Sequence, residues 1–281
     1  MTLMPDDQRT IGVIAGNGIY PETFLKAARP HGVRLVVCAF EGETRKDEVE
    51  ELADEVIWLR VGQLKKMIKF FTGQGAKEAV MVGQIDPKNL FNLRPDLRMI
   101  GMLAKLKEKN AESLFGAIAG ELSKDGIELL SATTFLEEFL PGPGPVCGPG
   151  LDQKALEDAA YGFRIAKETS RLNIGQTVVV REGTVLAVEA FEGTNSCIKR
   201  GGELGKGKNV KVIKVTKPNQ DFRFDVPVVG PETILTCVDA NISTIVVEAG
   251  CTLILGADEV RELCGKHRVS LHAMSGSDEE A

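Results

Sequence analysis

Apolar residues in the first half of the chain fall into short runs separated by stretches with helical spacing. TIGVIA (10–15), VRLVVCAF (33–40), EVIWLR (55–60), EAVMVG (78–83) and IELLSA (127–132) have the length and apolar character of buried strands. Helical spacing covers 63–73 and a long stretch from Arg94 to Lys124. Strands alternating with helices imply a parallel sheet, so residues 1–140 read as a Rossmann-like α/β domain.

The run PGPGPVCGPG (141–150) breaks regular structure and marks a linker. Beyond it, 151–172 is an amphipathic helix, and QTVVVREGTVLAVEAFEG is two strands joined at Glu182-Gly183. Strands are predicted again at 210–215, 243–249, 251–255 and 269–274, with helices at 231–240 and 257–266. Residues 151–281 therefore form a second α/β domain with a mixed sheet. The polar tail SGSDEEA is expected to be disordered.

Length and charge narrow the function. A chain of 281 residues with 43% hydrophobic composition has enough apolar surface for two cores. The six cysteines are scattered without a CxxC pair, which fits reduced thiols in a cytoplasm. Residues 1–9 lack the pattern of a signal peptide, and no uncharged apolar run is long enough to span a bilayer. A net charge of −6 argues against nucleic acid as a partner. Locally, Lys199, Arg200, Lys206, Lys208, Lys211, Lys214 and Lys217 face only Glu203. That cluster reads either as a site for a small polyanion or as a solvated loop.

Four segments are candidates for chemistry. Gly16-Asn17-Gly18 stands between the first strand and helix, where open backbone N–H groups favour a phosphate. Pro21 departs from the dinucleotide fingerprint and disfavours an NAD-dependent oxidoreductase. Gly83 and Gln84, followed by Asp86, close another buried strand, the sheet edge at which α/β proteins bind ligands. Glu189 and Glu192 flank Phe191 before Gly193 and Thr194, with Thr194 placed to cap the next helix. The richest segment is 214–233, where Asp221 and Asp225 accompany Lys217, Asn219, Gln220 and Arg223. Two carboxylates of this kind suit Mg²⁺, with Mn²⁺ as a substitute, and the cations would offset phosphoryl charge. No Walker A, GxSxG or HExxH pattern is present, and the three histidines are too dispersed for a zinc site.

Taken in order, IAGNGIYP, VGQIDP, GQTVVVREGTVLAVEAFEGTN, KPNQDFRFDVPVVGPETI and VVEAG resemble the LpxI family, the UDP-2,3-diacylglucosamine pyrophosphatases of lipid A biosynthesis. The resemblance implies metal-assisted hydrolysis of UDP-2,3-diacylglucosamine to UMP and 2,3-diacylglucosamine 1-phosphate. It places the critical aspartate at Asp225. Asn17, Phe222 and Phe224 depart from the family pattern. The catalytic candidates are thus Asp225, Asp221, Glu189 and Glu192, with Asp225 and Asp221 as metal ligands. The substrate contacts expected are Gly16, Asn17, Gly18, Gly83, Gln84, Gly193, Thr194, Lys217, Asn219, Gln220 and Arg223. The expected partner is a lipid-linked UDP-sugar, with the inner-membrane surface and a second copy of the chain, in a homodimer, as further options. Arg94–Lys109 mixes Leu97, Ile100, Met102, Leu103 and Leu106 with basic residues, as a membrane-facing or an ordinary core-packed helix would. The alternative is a non-catalytic nucleotide-binding regulator.

Overall fold

The computed structural model describes residues 8–85, 95–108, 111–206 and 208–276. It divides into two compact units, one running to Leu136 and including Asp221–Asp225, the other formed by Glu137–Gln220 and Val226–Ala281. No helix among the described residues is long and apolar enough to cross a membrane.

The first unit is built on β1 (Thr10–Ala15), β2 (Arg34–Phe40), β3 (Glu55–Leu59), β4 (Glu78–Val82) and β5 (Glu128–Leu129), all parallel, in the order β3-β2-β1-β4-β5. Val13 of β1 lies between Val37 and Val80, and all three are fully buried, as a central strand requires. The helices are α1 (Tyr20–Ala28), α2 (Lys46–Glu50), α3 (Leu64–Gly73), α4 (Leu97–Leu103) and α5 (Ala111–Lys124). Met67 and Phe71 of α3, Met99 and Met102 of α4 and Leu122 of α5 share one core with Ile14, Val36 and Cys38. Asp96 joins two of these helices: its carboxylate accepts from Met99 N at 2.9 Å and from Lys65 N at 2.6 Å.

The expected single helix over Arg94–Lys124 is two helices, α4 and α5, with 104–108 non-helical and Arg94 and Lys109 outside the described residues. Between Leu106 and Leu114 only Ala111 is apolar, so about two turns of a continuous helix would have had little to bury. β5 is also shorter than predicted.

The second unit contains β6 (Gly144–Cys147), β7 (Thr177–Arg181), β8 (Thr184–Val188), β9 (Lys211–Lys214), β10 (Val228–Val229), β11 (Thr244–Glu248), β12 (Leu253–Ile254) and β13 (Ser270–Met274). Six of them form a mixed sheet, β6-β13-β11-β9-β7-β8, while β10 and β12 pair separately. Helices α6 (Gln153–Arg171), α7 (Thr194–Gly205), α8 (Pro231–Asp239) and α9 (Ala257–His267) complete it. Strand alternation sorts the cores. Val178 and Val180 pack with Phe163 of α6, whereas Val179 packs with residues of α7, α8 and α9. The α/β class with one parallel and one mixed sheet is the class expected.

The Pro/Gly run was expected to lack regular structure, but it carries β6. Pro145 is tolerated there because β6 is an edge strand, paired only with β13. Residues 277–281, most of the polar tail, lie outside the described residues.

Candidate active site

Strand order reverses between β1 and β4, and two of the predicted glycine segments meet there. Asn17 N donates to Gln84 O at 2.7 Å and Gln84 N to Asn17 O at 3.1 Å, while Gly16 N donates to Val82 O at 2.8 Å. A Cβ on Gly16 would stand 2.4 Å from Gln84 O; one on Gly83, whose φ is +89°, would stand 2.7 Å from Asn17 O. Glycine is required at both positions by close backbone approach. This corrects the expectation of open phosphate donors. The N–H groups of Gly16 and Asn17 are held by β4 and its extension, and Gly18 N donates to Asn17 Oδ1 at 2.7 Å.

Gly16, Gly83 and Gln84 border a cavity of about 400 Å³ within the first unit. Its walls are mostly apolar, with Ile14 and Val82 from the sheet, Leu64 and Met67 from α3, Met99 from α4, and Leu114, Phe115 and Ile118 from α5, beside the amides of Gln63 and Gln84. Phe224 and Asp225 also line it, and Asp225 is the one carboxylate that does so among the described residues.

Residues 221–225 reach this cavity through a folded loop. Phe222 O accepts from Ala132 N at 2.8 Å and from Ser131 Oγ at 3.3 Å. The Phe224 ring lies 5.7 Å from that of Phe115, an aromatic contact of ordinary spacing. Phe224 N and Asp225 N both donate to Asp221 O, turning the chain so that Asp225 faces the cavity. The loop therefore belongs to the first unit, although chain order assigns it to the C-terminal domain.

Asp221 plays a different part. Arg223 Nε and Nη2 donate to its two carboxylate oxygens at 2.9 and 2.7 Å, and Arg223 N donates to Oδ1 at 3.1 Å. That bidentate pair raises the Arg223 pKa through its hydrogen bonds to Asp221. No group of three or more His, Cys, Asp or Glu side chains converges among the described residues, and Asp86 lies outside them.

The remaining candidates lie in the second unit. Asn219 has φ +60°, and Gln220 Oε1 accepts from Lys217 N at 3.0 Å, so Asn219 and Gln220 shape a turn after β9. Glu192 accepts from Ala190 N and pairs with Arg200. A backbone N–H within its own turn and then Arg200 hold this carboxyl below its usual range. Glu189 is only 7% exposed. Its Oε1 accepts from Thr194 Oγ1 at 2.9 Å, while Oε2 has no hydrogen-bond partner among the described residues. Thr194 was expected to cap the next helix. It is instead the first residue of α7, with Gly193 at φ +81° as the cap position, and its hydroxyl is given to Glu189.

Sequence reading named Lys214 only within the basic cluster and at the head of segment 214–233, not among the substrate contacts. This buried lysine donates to Val228 O at 3.1 Å and to Thr194 Oγ1 at 3.3 Å. It joins Glu189 and Thr194 in one polar group at the end of β9. Lysine inside the apolar strand KVIK was the available signal, but Lys211 carries the same signal for a structural reason: it pairs with Asp158 at 2.8 Å. The basic cluster is thus dispersed, since Arg200 and Lys211 have separate carboxylate partners.

Among solved structures the chain is similar to the biotin carboxylase subunit of pyruvate carboxylase, at 14% identity over 70% of this chain and 39% of that one, with a TM-score of 0.26. It is also similar to phosphoribosylglycinamide synthetase from Anaerococcus prevotii, at 11% identity over 66% and 40%, TM-score 0.26. The chain spans about two fifths of each, and likeness at this level bears on neither site nor activity. The UDP-2,3-diacylglucosamine pyrophosphatase LpxI of Caulobacter vibrioides is 28% identical over 262 residues, 90% of this chain and 92% of the relative. The LpxI N-terminal domain family matches residues 10–139 and the LpxI C-terminal domain family matches 142–272. With both halves matched in order along nearly its whole length, the chain belongs to the LpxI family.

Proposed function

We propose that this protein hydrolyses the pyrophosphate bond of UDP-2,3-diacylglucosamine, releasing UMP and 2,3-diacylglucosamine 1-phosphate for lipid A biosynthesis. The observation that carries the reading is Asp225, a carboxylate at the lining of a largely apolar cavity in a chain of this family. The substrate has the same two characters, acyl chains beside a charged pyrophosphate. The walls from α3, α4 and α5 suit the acyl groups, and Asp225 is positioned to orient or deprotonate the attacking water.

Magnesium binds through one or two carboxylates and completes its shell with water and substrate phosphate oxygens. That requirement fits Asp225 acting with the substrate itself; Asp221 is engaged by Arg223. When bound, the ion would supply Lewis-acid charge neutralisation, and Mn²⁺ would serve in its place.

A lipid substrate requires access to a bilayer. Leu97 and Ile100 of α4 are exposed, Leu97 at 86%, as are Lys105 and Lys107 just past the end of the helix. We assign this face to peripheral contact with the cytoplasmic side of an anionic membrane.

Incubating the protein with UDP-2,3-diacylglucosamine and Mg²⁺ should release UMP. Intact substrate after prolonged incubation, with UMP or substrate binding retained, would favour a nucleotide-binding regulator instead.

A further inference from the structure

A second cavity, of about 260 Å³, lies within the second unit and has no part in the hydrolysis proposed above. Val146 and Cys147 of β6 form one side, and Ala257, Val260 and Arg261 of α9 form another. Residues 257, 260, 261 and 264 recur at the spacing of one helical face. The same face therefore carries Arg261 into the cavity and Cys264 into the core beneath it. Cys147 packs against that core, in which Cys264 is fully buried.

The surroundings set the six thiols apart. Cys38, Cys197 and Cys237 are buried, and burial pushes their thiols up. Cys147 and Cys251 are both half-buried. Burial and the Glu248 charge raise Cys251. The neighbouring Cys264 thiol first, and then the Arg261 charge, hold Cys147 below its ordinary value in spite of burial. Arg261 also pairs with Asp258 at 2.5 Å, and Glu138 lines the cavity, so the cation is shared and its influence moderate. An accessible cysteine beside a cation, with a second thiol behind it, is the arrangement found in redox-responsive sites.

We propose that Cys147 is a peroxide-reactive cysteine served by this cavity and that Cys264 is its resolving partner. The oxidant is hydrogen peroxide or a small alkyl hydroperoxide. The Cys147 thiolate attacks one peroxide oxygen; an S–O bond forms, the O–O bond breaks, and hydroxide or alkoxide leaves. Sulfur is oxidised by two electrons to the sulfenic acid as the peroxide is reduced. Cys264 then gives up its proton and attacks the Cys147 sulfur. The S–S bond forms, the S–O bond breaks, and the departing hydroxide takes the proton as water. Thiol reductants reverse the disulfide.

The test uses the full-length reduced protein, exposed to hydrogen peroxide, alkylated at intervals and mapped by mass spectrometry. The expected result is a Cys147–Cys264 cross-link removed by dithiothreitol, with Cys147 lost at least about tenfold faster than Cys251. In Cys264→Ala, Cys147 should accumulate as a dimedone-reactive sulfenic acid, and Arg261→Met should slow its oxidation several-fold. Equal reactivity of Cys147 and Cys251, or oxidation of Cys147 to sulfinic acid without a cross-link in the unsubstituted protein, would overturn the proposal. The rate ratio and the cross-link decide the matter even if Cys264→Ala fails to fold.

Discussion

Gly16 lies so close to Gln84 that an added Cβ would sit 2.4 Å from the Gln84 carbonyl oxygen, inside the paired turn that closes β1 and β4. Both partners are backbone, so neither can rotate aside. Gly16→Ala should lower stability by about 3 kcal/mol, the upper range for overpacking. Gly101 on α4 has open space around it, and Gly101→Ala should leave stability unchanged or raise it by up to about 1 kcal/mol. Urea denaturation of the two variants checks the opposite signs; equal midpoints would show that the turn yields more easily than the structure implies.

Asp158 and Lys211 form an ion pair whose side chains are each 7% exposed. Asp158 also accepts from Glu182 N and Gly183 N, fixing the β7–β8 turn. Burial would raise this carboxyl, but Lys211 and the two N–H groups outweigh it and hold the pKa below its ordinary 3.8. A folded pKa below the unfolded one means stability that is complete above the unfolded value and lost as pH falls through the folded value. Asp158→Asn leaves a buried ammonium without its charge partner and should cost about 3–5 kcal/mol at pH 7. The difference from the unsubstituted protein should shrink below about pH 4. A penalty constant from pH 7 to pH 3 would contradict the assignment.

These two sites differ in how far the sequence reveals them. The strands of the first unit were legible because their apolar runs need no partner to be recognised, and the carboxyl ends of β1 and β4 followed from them. The commitment of Gly16 and Asn17 N–H groups to β4 was not legible, since it depends on register between strands more than sixty residues apart. The same limit hid the place of Asp225. The loop's variety of polar groups marked it as a site, but its packing in the first unit rests on Phe222 with Ala132 and Phe224 with Phe115, about ninety and over one hundred residues away. Glu189 and Glu192 looked equivalent in sequence. Burial separates them: among the described residues one oxygen of Glu189 has no hydrogen-bond partner, whereas Glu192 pairs with Arg200. Lys211 and Lys214 looked alike for the same reason.

Activity should depend on a divalent cation, because Asp225 alone among the carboxylates described lines the cavity and the substrate brings two phosphates. Excess EDTA should abolish UMP release, and Mg²⁺ or Mn²⁺ should restore it. An undiminished rate in excess chelator would remove the metal from the account.

The face of α4 offers a separate test. Replacing Leu97 and Ile100 by serine should weaken co-sedimentation with anionic phospholipid vesicles several-fold while leaving hydrolysis of detergent-dispersed substrate near its original rate, since neither residue lines the cavity. Unchanged vesicle binding would place the membrane contact elsewhere.

Asp225 is expected to act in the chemical step from the wall of its cavity. Asp225→Asn keeps the side-chain volume and removes the charge. Steady-state hydrolysis of UDP-2,3-diacylglucosamine by this variant should show kcat reduced about a hundredfold or more, roughly 3 kcal/mol, with KM and melting temperature changed little. A kcat close to that of the unsubstituted enzyme would contradict the account, as would a loss of activity matched by a comparable loss of thermal stability.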